Sequence, residues 1–460
     1  MHSDIIIIGA GPGGYETALS AARRGMSVTL FNGAQLGGTC LNEGCIPTKC
    51  LCRNAEAVAQ FKEAEKFGID DFTFSFDFNK VMARKNEVAD QLRSGIAMML
   101  KSAKVNVVEA MASFKDSRTI VAGGEEYTAD NIIIASGSVS KSLPIPGHDL
   151  ECVMDSSSLL NIDHVPESLT IIGGGVIGME FANIFASFGS KVTVIEFMKQ
   201  ILPPFDSDIA KRLKQTLTKK GIKIITSAAA KKIEQNADYE ITVTYEAKGK
   251  EETVVSSDLL MAVGRAPRLD GLNLEAAGVE FTPRGIAVDD YMRTNVPHIF
   301  AIGDVNARMM LAHVASFQGE RVLNSIQGKE DAIRFDIVPS AVFTVPECGM
   351  VGLTEDQCKT QGIEVMTGQS FFRANGKALS MAESDGLCKL IFRKADGVLI
   401  GAHIMGVQAA DLAQQCADLM NRDTTLEQMH QIIFGHPTVS EVILSALHVV
   451  SYGLQTVFKA

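Results

Sequence analysis

The sequence predicts an α/β protein of several domains, on the evidence of a repeated motif and of the chain length. A strand–glycine turn–helix unit occurs twice in one register, so that Gly9 corresponds to Gly173. The chain has 460 residues, whereas a single domain usually contains about 100 to 200. We therefore expect roughly three domains, two of them built around a parallel sheet.

The composition is that of a globular protein that binds neither nucleic acid nor membrane. Apolar residues make up 46% of the chain and charged residues 21%, which is ordinary globular usage. The formal net charge of -11 argues against nucleic-acid binding, which needs clustered Lys and Arg. No apolar stretch approaches the roughly 18 to 20 residues of a membrane-spanning helix, and a strand-like segment starts at Asp4, so we expect no signal peptide. Nine cysteines without a regular spacing are typical of reduced thiols in the cytoplasm.

The first unit consists of four isoleucines at residues 5–8 and a glycine-rich turn at residues 9–14. Gly9 permits the sharp turn, Gly11 lets a pyrophosphate approach the backbone, and Gly14 lets the following helix pack closely on the strand. The N-terminus of that helix favours anionic phosphates. This unit predicts a dinucleotide site.

The second unit repeats this arrangement, with an apolar strand at residues 169–172 followed by Gly173, Gly175 and Gly178. Positions outside the glycine turn also match, namely Glu16 with Glu180, Gly25 with Gly189 and Val28 with Val192. Two unrelated glycine turns would not share this register. The sequence therefore predicts two dinucleotide-binding, Rossmann-like units.

Each unit ends its second strand with a polar residue, Asn32 in the first unit and Glu196 in the second. A side chain at this point meets the adenosine ribose. Glu196 can accept hydrogen bonds from both ribose hydroxyls and would repel a 2′-phosphate, so the second site is expected to prefer NAD over NADP. Asn32 can accept one hydrogen bond. The alternative is that Glu196 only caps the end of the strand.

Three more apolar strands end at glycine-containing segments, at residues 132–138, 259–264 and 299–304. The first two look like points where the chain leaves one domain for another. The third delivers Asp304, whose carboxylate could hold the ribityl hydroxyls of a flavin. An ordinary Gly-Asp turn is the alternative for Asp304.

Cys40 and Cys45 lie five positions apart within the glycine-rich segment 37–49. In a regular helix this spacing separates the two Cα atoms by roughly 8 to 9 Å, whereas a disulfide needs less than about 7 Å. The pair can close only if the first helical turn is distorted. We expect Gly44 and Pro47 to distort that turn, Gly44 through its flexibility and Pro47 by disfavouring helix just before it.

Metal binding is the alternative for this segment, because Cys50 and Cys52 lie close by. Zinc sites usually show paired cysteines separated by a longer loop, and no second pair of Cys or His follows here. We therefore predict no metal site and expect buried, unreactive thiols at Cys50 and Cys52.

Near the C-terminus, His436 and Glu441 precede an apolar helix at residues 442–450. Glu441 can form a capping box with Thr438. It can also orient the His436 imidazole through one ring nitrogen while the other nitrogen exchanges a proton with a thiol. We favour an acid/base role for His436.

With these motifs in this order, the chain resembles the pyridine nucleotide-disulfide oxidoreductase family over essentially its whole length. The motifs lie at residues 9–14, 37–49, 173–178, 301–304, 311–313, 436–438 and 441. The resemblance implies two Rossmann-like domains, one for FAD and one for NAD, and a C-terminal α+β dimerisation domain. The implied segments are an FAD-binding domain at 1–142, an NAD-binding domain at 143–265, a return to the FAD-binding or central domain at 266–335, and the dimerisation domain at 336–460.

The resemblance also implies a role for each site residue. Cys40 would exchange with the substrate, Cys45 would lie next to the flavin, and Lys49 and Glu180 would form an ion pair beside the flavin ring. The implied FAD positions are Gly9, Gly11, Gly14, Asn32, Gly38, Thr39, Lys49, Ser136, Gly137, Gly303, Asp304 and Ala312. The implied NAD positions are Gly173, Gly175, Val176, Gly178, Glu196 and Gly264.

Within the family, the chain most closely resembles the dihydrolipoamide dehydrogenases. Val176 stands where sequences like glutathione reductase have a tyrosine, and Glu196 replaces the basic surroundings that NADP requires. Mercuric reductases fit poorly, because no vicinal cysteine pair closes this chain. At Asn32 the family usually has an acidic residue, so the chain departs from the pattern there.

The implied reaction is the oxidation of protein-bound dihydrolipoyl groups through a Cys40/Cys45 disulfide and FAD, with NAD as the acceptor. The alternative is NAD(P)H-dependent reduction of another disulfide. The implied partners are a second copy of the chain, in a homodimer where His436 and Glu441 act on the other subunit's cysteine pair, and a lipoyl-bearing acyltransferase or glycine-cleavage carrier protein.

Overall fold

The computed structural model describes residues 1–452. Its fold is a mixed α/β arrangement in which two largely parallel sheets precede an antiparallel sheet, which confirms the predicted fold class. The four-segment domain division stays a prediction. Within the described residues, no helix is both long enough and apolar enough to cross a membrane.

The first sheet has the strand order β3-β2-β1-β6-β5-β4. Its elements are β1 (His2–Ile8), α1 (Pro12–Arg23), β2 (Val28–Phe31), α2 (Gly38–Asn42), α3 (Cys45–Lys62), a 3₁₀ helix at Ala64–Phe67, α4 (Phe78–Ser102), β3 (Asn106–Val108), β4 (Ala112–Phe114), β5 (Thr119–Ala122) and β6 (Glu125–Ile134), with β7 (Ser138–Ser140) outside the sheet. β1 lies between β2 and β6 and runs parallel to both. The isoleucines at residues 5–8 are buried, because a central parallel strand is covered on both faces.

The second sheet has the order β11-β10-β9-β15-β8, and a three-stranded antiparallel sheet, β12-β13-β14, branches from it. The elements are β8 (Val153–Met154), α5 (Ser156–Leu159), β9 (Ser168–Ile172), α6 (Val176–Phe188), β10 (Lys191–Glu196), α7 (Ser207–Lys219), β11 (Lys223–Thr226), β12 (Ala228–Gln235), β13 (Ile241–Ala247), β14 (Lys250–Ser256), β15 (Asp258–Met261) and β16 (Arg265–Pro267), the last paired with β7. The sequence repeat is therefore a structural repeat of strand, turn and helix.

The chain then returns to the first sheet before it forms the antiparallel sheet. The elements are β17 (Phe281–Thr282), β18 (Gly285–Ile286), β19 (Ile299–Ala301), a 3₁₀ helix at Gly303–Asn306, α8 (Ala312–Ile326), β20 (Ser340–Val342), β21 (Cys348–Gly352), α9 (Glu355–Thr360), β22 (Val365–Phe371), a 3₁₀ helix at Phe372–Ala374, α10 (Gly376–Ser380), β23 (Leu387–Arg393), β24 (Leu399–Met405), α11 (Ala409–Met420), α12 (Leu426–Met429) and α13 (Glu441–Tyr452). β19 pairs in parallel with β6, and the last sheet has the order β20-β21-β24-β23-β22. The return of β19 places Asp304 beside the first glycine turn.

The cysteine segment departs from the sequence prediction. We expected one helix with a distorted first turn, but α2 ends at Asn42 and α3 begins at Cys45. The break lies at Gly44, whose φ of -148° and ψ of -110° are not helical. The expected role of Pro47 was wrong, because Pro47 lies in the first turn of α3, where its missing N–H costs no helical hydrogen bond.

A buried ion cluster joins the last sheet to the second one. Lys389, on β23, donates to Asp206 Oδ1 at 2.9 Å, and both side chains are 1% exposed. Lys389 Nζ also lies 2.8 Å from Asp208 and 2.7 Å from Glu355. Asp206 caps the N-terminus of α7. Because isolated charges are costly to bury, this cluster fixes the two sheets relative to each other.

We predict that Lys389→Met destabilises the chain by about 3 to 5 kcal/mol, because Asp206 would remain as a buried charge without its cation. Urea unfolding of both proteins would measure this loss. The matched control is Lys394→Met, since Lys394 pairs with Glu364 in an exposed setting, with side chains 61% and 78% exposed. The control should cost at most about 1 kcal/mol. Equal losses in the two variants would contradict the prediction.

Candidate active site

Both glycine turns open onto one cavity of about 1390 Å³. Its wall includes Gly9 and Gly11 from the first turn and Gly173 and Gly175 from the second. Pockets for one small molecule usually measure about 300 to 1,000 Å³. The cavity therefore has room for more than one nucleotide.

The two turns use their glycines in the same way. Gly9 has a φ of +111° and Gly173 a φ of +113°, and a Cβ on either would lie 2.2 or 2.3 Å from a carbonyl oxygen of the neighbouring strand end. Only glycine fits this backbone. Gly14 and Gly178 do not line the cavity: a Cβ there would lie 1.8 or 2.0 Å from the carbonyl oxygen of Gly9 or Gly173. They permit close packing of the helix on the strand, and their predicted place in the nucleotide sites stays a prediction.

The first turn fits the diphosphate of FAD. Gly38, at the start of α2, packs so closely on it that a Cβ there would lie 2.6 Å from Gly11 Cα. α1 begins at Pro12, and no side chain caps its N-terminus, so the positive end of the helix dipole is available to an anion. Other predicted FAD positions that line the same cavity are Asn32, Thr39, Lys49, Ser136, Gly137, Gly303, Asp304 and Ala312.

Two of these cavity-lining positions, Asn32 and Asp304, have polar side chains with defined partners. Asn32 is buried, and its Nδ2 donates to Glu109 Oε2 at 2.6 Å, so its Oδ1 is left as an acceptor. Asp304 Oδ2 accepts a hydrogen bond from Ser138 Oγ at 2.5 Å. The second oxygen of Asp304 can still accept hydroxyl donors such as those of a flavin.

The second site has a carboxylate where the sequence places one. Glu196 is buried, its Oε1 accepts from the N–H of Met198 at 2.6 Å, and its Oε2 accepts from the N–H of Gly174. Each carboxylate oxygen has a second lone pair for a ribose hydroxyl. Glu196 thus supports the turn, as in the strand-end alternative, and also lines the cavity together with Val176 and Gly264.

The two cysteines of the predicted pair lie side by side in the cavity wall. Both are free thiols. Hydrogen bonding with the Cys40 side chain lowers the pKa of Cys45 to about 7, with help from the nearby Lys49 charge, although desolvation opposes the shift. The same hydrogen bond and burial raise the pKa of Cys40. Of the two thiols, Cys45 therefore ionises first.

Lys49 connects the thiols to the second unit. Its Nζ lies 3.0 Å from Glu180 Oε2 and 4.9 Å from the centre of the Phe343 ring. Burial alone would lower the pKa of Lys49, but Glu180 outweighs burial and the net shift is upward. The backbone N–H of Phe343 also donates to Glu180, at 2.9 Å. The structure thus brings the predicted ion pair together beside Cys45.

His436 and Glu441 form a pair on the surface. His436 Nδ1 lies 3.0 Å from Glu441 Oε1, and the His436 side chain is 78% exposed. Hydrogen bonds from the Thr438 N–H and then from His436 lower the pKa of Glu441. Only half of the expected capping box forms, because the Thr438 hydroxyl donates to Gly435 instead. Neither member of the pair lines the cavity of its own chain.

Several residues of the site were missed from the sequence. Phe343 holds the Lys49–Glu180 pair, Ser138 links Asp304 to Arg265, and Glu109 orients Asn32. Ser138 lies in a segment that the sequence singled out, so it could have been found there. Glu109 and Phe343 are distant in sequence from their partners, and no local pattern marks them.

Cys50 and Cys52 are buried on α3, and burial raises the pKa of each thiol. Their expected unreactive character therefore has a physical basis.

Two family models match the chain. The model described as pyridine nucleotide-disulphide oxidoreductase matches residues 3–319, and the model for the dimerisation domain of the same family matches residues 338–447. The second match supports a homodimer. Together they span almost the whole described chain.

Similar proteins include enzymes and solved structures. The chain is 40% identical over 455 residues to a dihydrolipoyl dehydrogenase of Geobacillus stearothermophilus, covering 98% of this chain and 96% of the relative. It is 39% identical to a dihydrolipoyl dehydrogenase of Bacillus subtilis, covering 96% and 97%. The structure of RclA, an HOCl-induced flavoprotein disulfide reductase of Escherichia coli, matches with a TM-score of 0.86 at 30% identity, covering 97% of this chain and 100% of that one.

The site geometry and these matches agree on the class of protein. A thiol pair lies in the wall of a cavity that two nucleotide turns share, and the relatives match over nearly their full length. The chain belongs to the pyridine nucleotide-disulphide oxidoreductase family and is a flavoprotein disulfide oxidoreductase that uses FAD and NAD.

Proposed function

We propose that the chain is an NAD-dependent dihydrolipoyl dehydrogenase, which oxidises protein-bound dihydrolipoyl groups. The observation that carries this proposal is the Cys40–Cys45 thiol pair in the wall of the shared cavity, with Lys49 beside Cys45. The relatives that are 39% and 40% identical carry this enzyme's name. They support the choice of substrate.

The chemistry begins with a disulfide between Cys40 and Cys45. One thiolate of the substrate attacks the Cys40 sulfur, the bond between the two cysteines breaks, and Cys45 leaves as a thiolate. The second substrate thiol then attacks the sulfur that is bonded to Cys40, the substrate leaves as a cyclic disulfide, and Cys40 takes up a proton. The substrate loses two electrons and the cysteine pair gains them. This half-reaction would leave the cysteine pair reduced, with Cys45 as the group that ionises first because its pKa is lowered to about 7.

The proton is handled by the exposed dyad. Glu441 holds Nδ1 of His436, so Nε2 is the nitrogen that can accept a proton from a substrate thiol and return it to Cys40. Because His436 lies outside the cavity of its own chain, we infer that His436 of the partner subunit serves each Cys40. A complete site would then require both subunits.

The cofactors complete the electron path. FAD would be held by the first glycine turn, Asn32 and Asp304, and NAD by the second turn and Glu196. A bound FAD would supply two-electron transfer between the reduced thiol pair and NAD. Lys49 and the N-terminus of α3 stabilise the Cys45 thiolate meanwhile.

The partner and the location follow from the substrate. A dihydrolipoyl group is carried by a larger protein, so a lipoyl-bearing acyltransferase or a glycine-cleavage carrier protein is the partner that we propose. We also propose a cytoplasmic location, since nine cysteines without a regular spacing are typical of thiols kept reduced in that compartment. Co-purification with a lipoyl-bearing acyltransferase would test the partner, and the absence of any complex would leave only the free enzyme.

A second disulfide substrate is the competing function, and one observation favours it. RclA, which shares the fold over its full length, is named as a disulfide reductase. Steady-state assays of NADH oxidation with lipoamide, glutathione disulfide and coenzyme A disulfide would separate the two functions. We expect lipoamide to be the best substrate. If lipoamide is the poorest of the three, the proposed function is wrong.

We predict that His436→Gln lowers lipoamide turnover by about 10²- to 10⁴-fold, because thiol proton transfer is lost. NADH oxidation with an artificial electron acceptor should survive, since it does not use the dyad. Stopped-flow and steady-state assays would measure the two activities. His430→Gln is the matched control, because His430 is an exposed histidine that contacts Ser451 rather than a carboxylate. Normal lipoamide turnover in His436→Gln would show that the His436–Glu441 pair does not transfer the thiol proton.

We predict that Cys40→Ala raises the pKa of Cys45 above its value of about 7, because the alanine cannot donate a hydrogen bond to the thiolate. Cys40→Ser retains a hydrogen-bond donor, so the pKa of Cys45 in this variant should stay closer to the wild-type value. The ultraviolet absorbance of the thiolate, followed against pH in the reduced protein, would give each midpoint. Above its pKa Cys45 is the reactive thiolate, so the midpoint moves to higher pH in Cys40→Ala. One common midpoint for all three proteins would contradict the prediction.

We predict that Glu196→Ala reduces the preference for NAD over NADP by about tenfold or more, because a charged hydrogen-bond acceptor for the ribose is removed. The ratio of kcat/KM for the two nucleotides measures this change. Glu167→Ala is the control, since Glu167 is 84% exposed and pairs with Lys191 on the surface. An unchanged ratio in Glu196→Ala would remove Glu196 from the nucleotide site.

A further inference from the structure

Three cationic side chains of the described residues line the cavity, and one of them has no partner there. Lys49 pairs with Glu180, and Arg265 donates to Ser138 Oγ at 2.7 Å. The side chain of Arg268 makes no hydrogen bond or ion pair within residues 1–452, and its Nε is buried without an acceptor. Leaving a charged donor unsatisfied in this way is costly. The wall of the cofactor cavity thus contains an unmatched positive charge.

The backbone of Arg268 places it at the first nucleotide site. Its N–H donates to the carbonyl oxygen of Gly137 at 2.9 Å, and its own carbonyl accepts from Ser136 Oγ at 2.8 Å. Ser136 in turn packs on the first turn, with its Cα 3.2 Å from the Cβ position of Gly9. The second turn packs instead on Ala262. Arg268 is therefore attached to the segment that closes the first turn.

The residues after Arg268 lead towards the adenosine end of the same site. The carbonyl oxygen of Leu272 accepts from the N–H of Phe114 at 2.8 Å. Ala112 lies on the same strand as Phe114. Ala112, Leu272 and Asn32 all line the cavity. Arg268 thus lies on the part of the wall between the glycine turn and the adenosine end, where the ADP half of FAD would bind.

The ADP half has one strongly anionic group, the diphosphate. The N-terminus of α1 supplies only the partial positive charge of the helix dipole. A guanidinium supplies a full charge and a planar set of donors that matches phosphate oxygens. We propose that Arg268 binds the FAD diphosphate and is a determinant of FAD retention. This inference concerns the cofactor and does not depend on which disulfide is the substrate.

The test measures FAD binding directly rather than activity. Purified holoenzyme is dialysed against a series of FAD concentrations, and the bound flavin is read by absorbance. We expect Arg268→Gln to raise the Kd for FAD by about 10- to 100-fold, the range for loss of a hydrogen bond to a charged group. Arg268→Lys keeps the charge without the planar donors and should give a smaller rise. Arg268→Ala provides a second charge-free variant if Arg268→Gln does not fold.

Two controls fix the interpretation. Arg284→Gln removes an exposed arginine and should leave the Kd for FAD at the wild-type value. The KM for NADH should be the same in flavin-loaded Arg268→Gln and in the wild type, since Arg268 belongs to the first site.

Three results would overturn the inference. An unchanged Kd in both charge-free variants would remove Arg268 from the FAD site. An equal rise of the Kd for FAD in Arg268→Lys and Arg268→Gln would show that the positive charge is not what binds FAD. That result would be expected if the guanidinium stacked on the adenine instead. A raised KM for NADH with normal FAD binding would assign Arg268 to the second site.

Discussion

The interruption between α2 and α3 is the constraint on which the chemistry of this chain depends. A continuous helix would hold the Cα atoms of Cys40 and Cys45 roughly 8 to 9 Å apart. The non-helical backbone at Gly44 instead lets the two thiols meet, and a Cβ on Gly44 would lie only 3.0 Å from the carbonyl oxygen of Thr39. The same break makes Cys45 the first residue of an 18-residue helix, where the helix dipole favours a thiolate.

The charges around this thiol pair are balanced rather than simply positive. Lys49 stabilises the Cys45 thiolate, but Glu180 shares the Lys49 charge and draws it towards α6. Phe343, from beside the antiparallel sheet, holds Glu180 through its backbone and contacts Lys49 through its ring. Three separate parts of the chain therefore meet at one ammonium group. A change in their packing would alter the thiolate as well as the fold.

The chain divides its chemistry between an interior and a surface. The cavity contains the thiols and both nucleotide turns, whereas the His436–Glu441 pair is exposed at the far end of the chain. In the function proposed above, this exposed imidazole would serve the cysteine pair of a second copy of the chain. The match of residues 338–447 to a dimerisation domain is consistent with that arrangement.

The sequence by itself determined the repeated strand–turn–helix unit, the fold class and the family, because glycines at Gly9, Gly14 and their counterparts are required by local backbone geometry. It also indicated Lys49 with Glu180 and His436 with Glu441 as pairs, although only through a resemblance or a helix-capping pattern. The tertiary structure decided what depends on distant contacts: the helix break before Cys45, the support of Asn32 by Glu109, and the unmatched charge of Arg268. These arise where separate strands and loops meet, and no spacing along the chain encodes which side chains will face each other there.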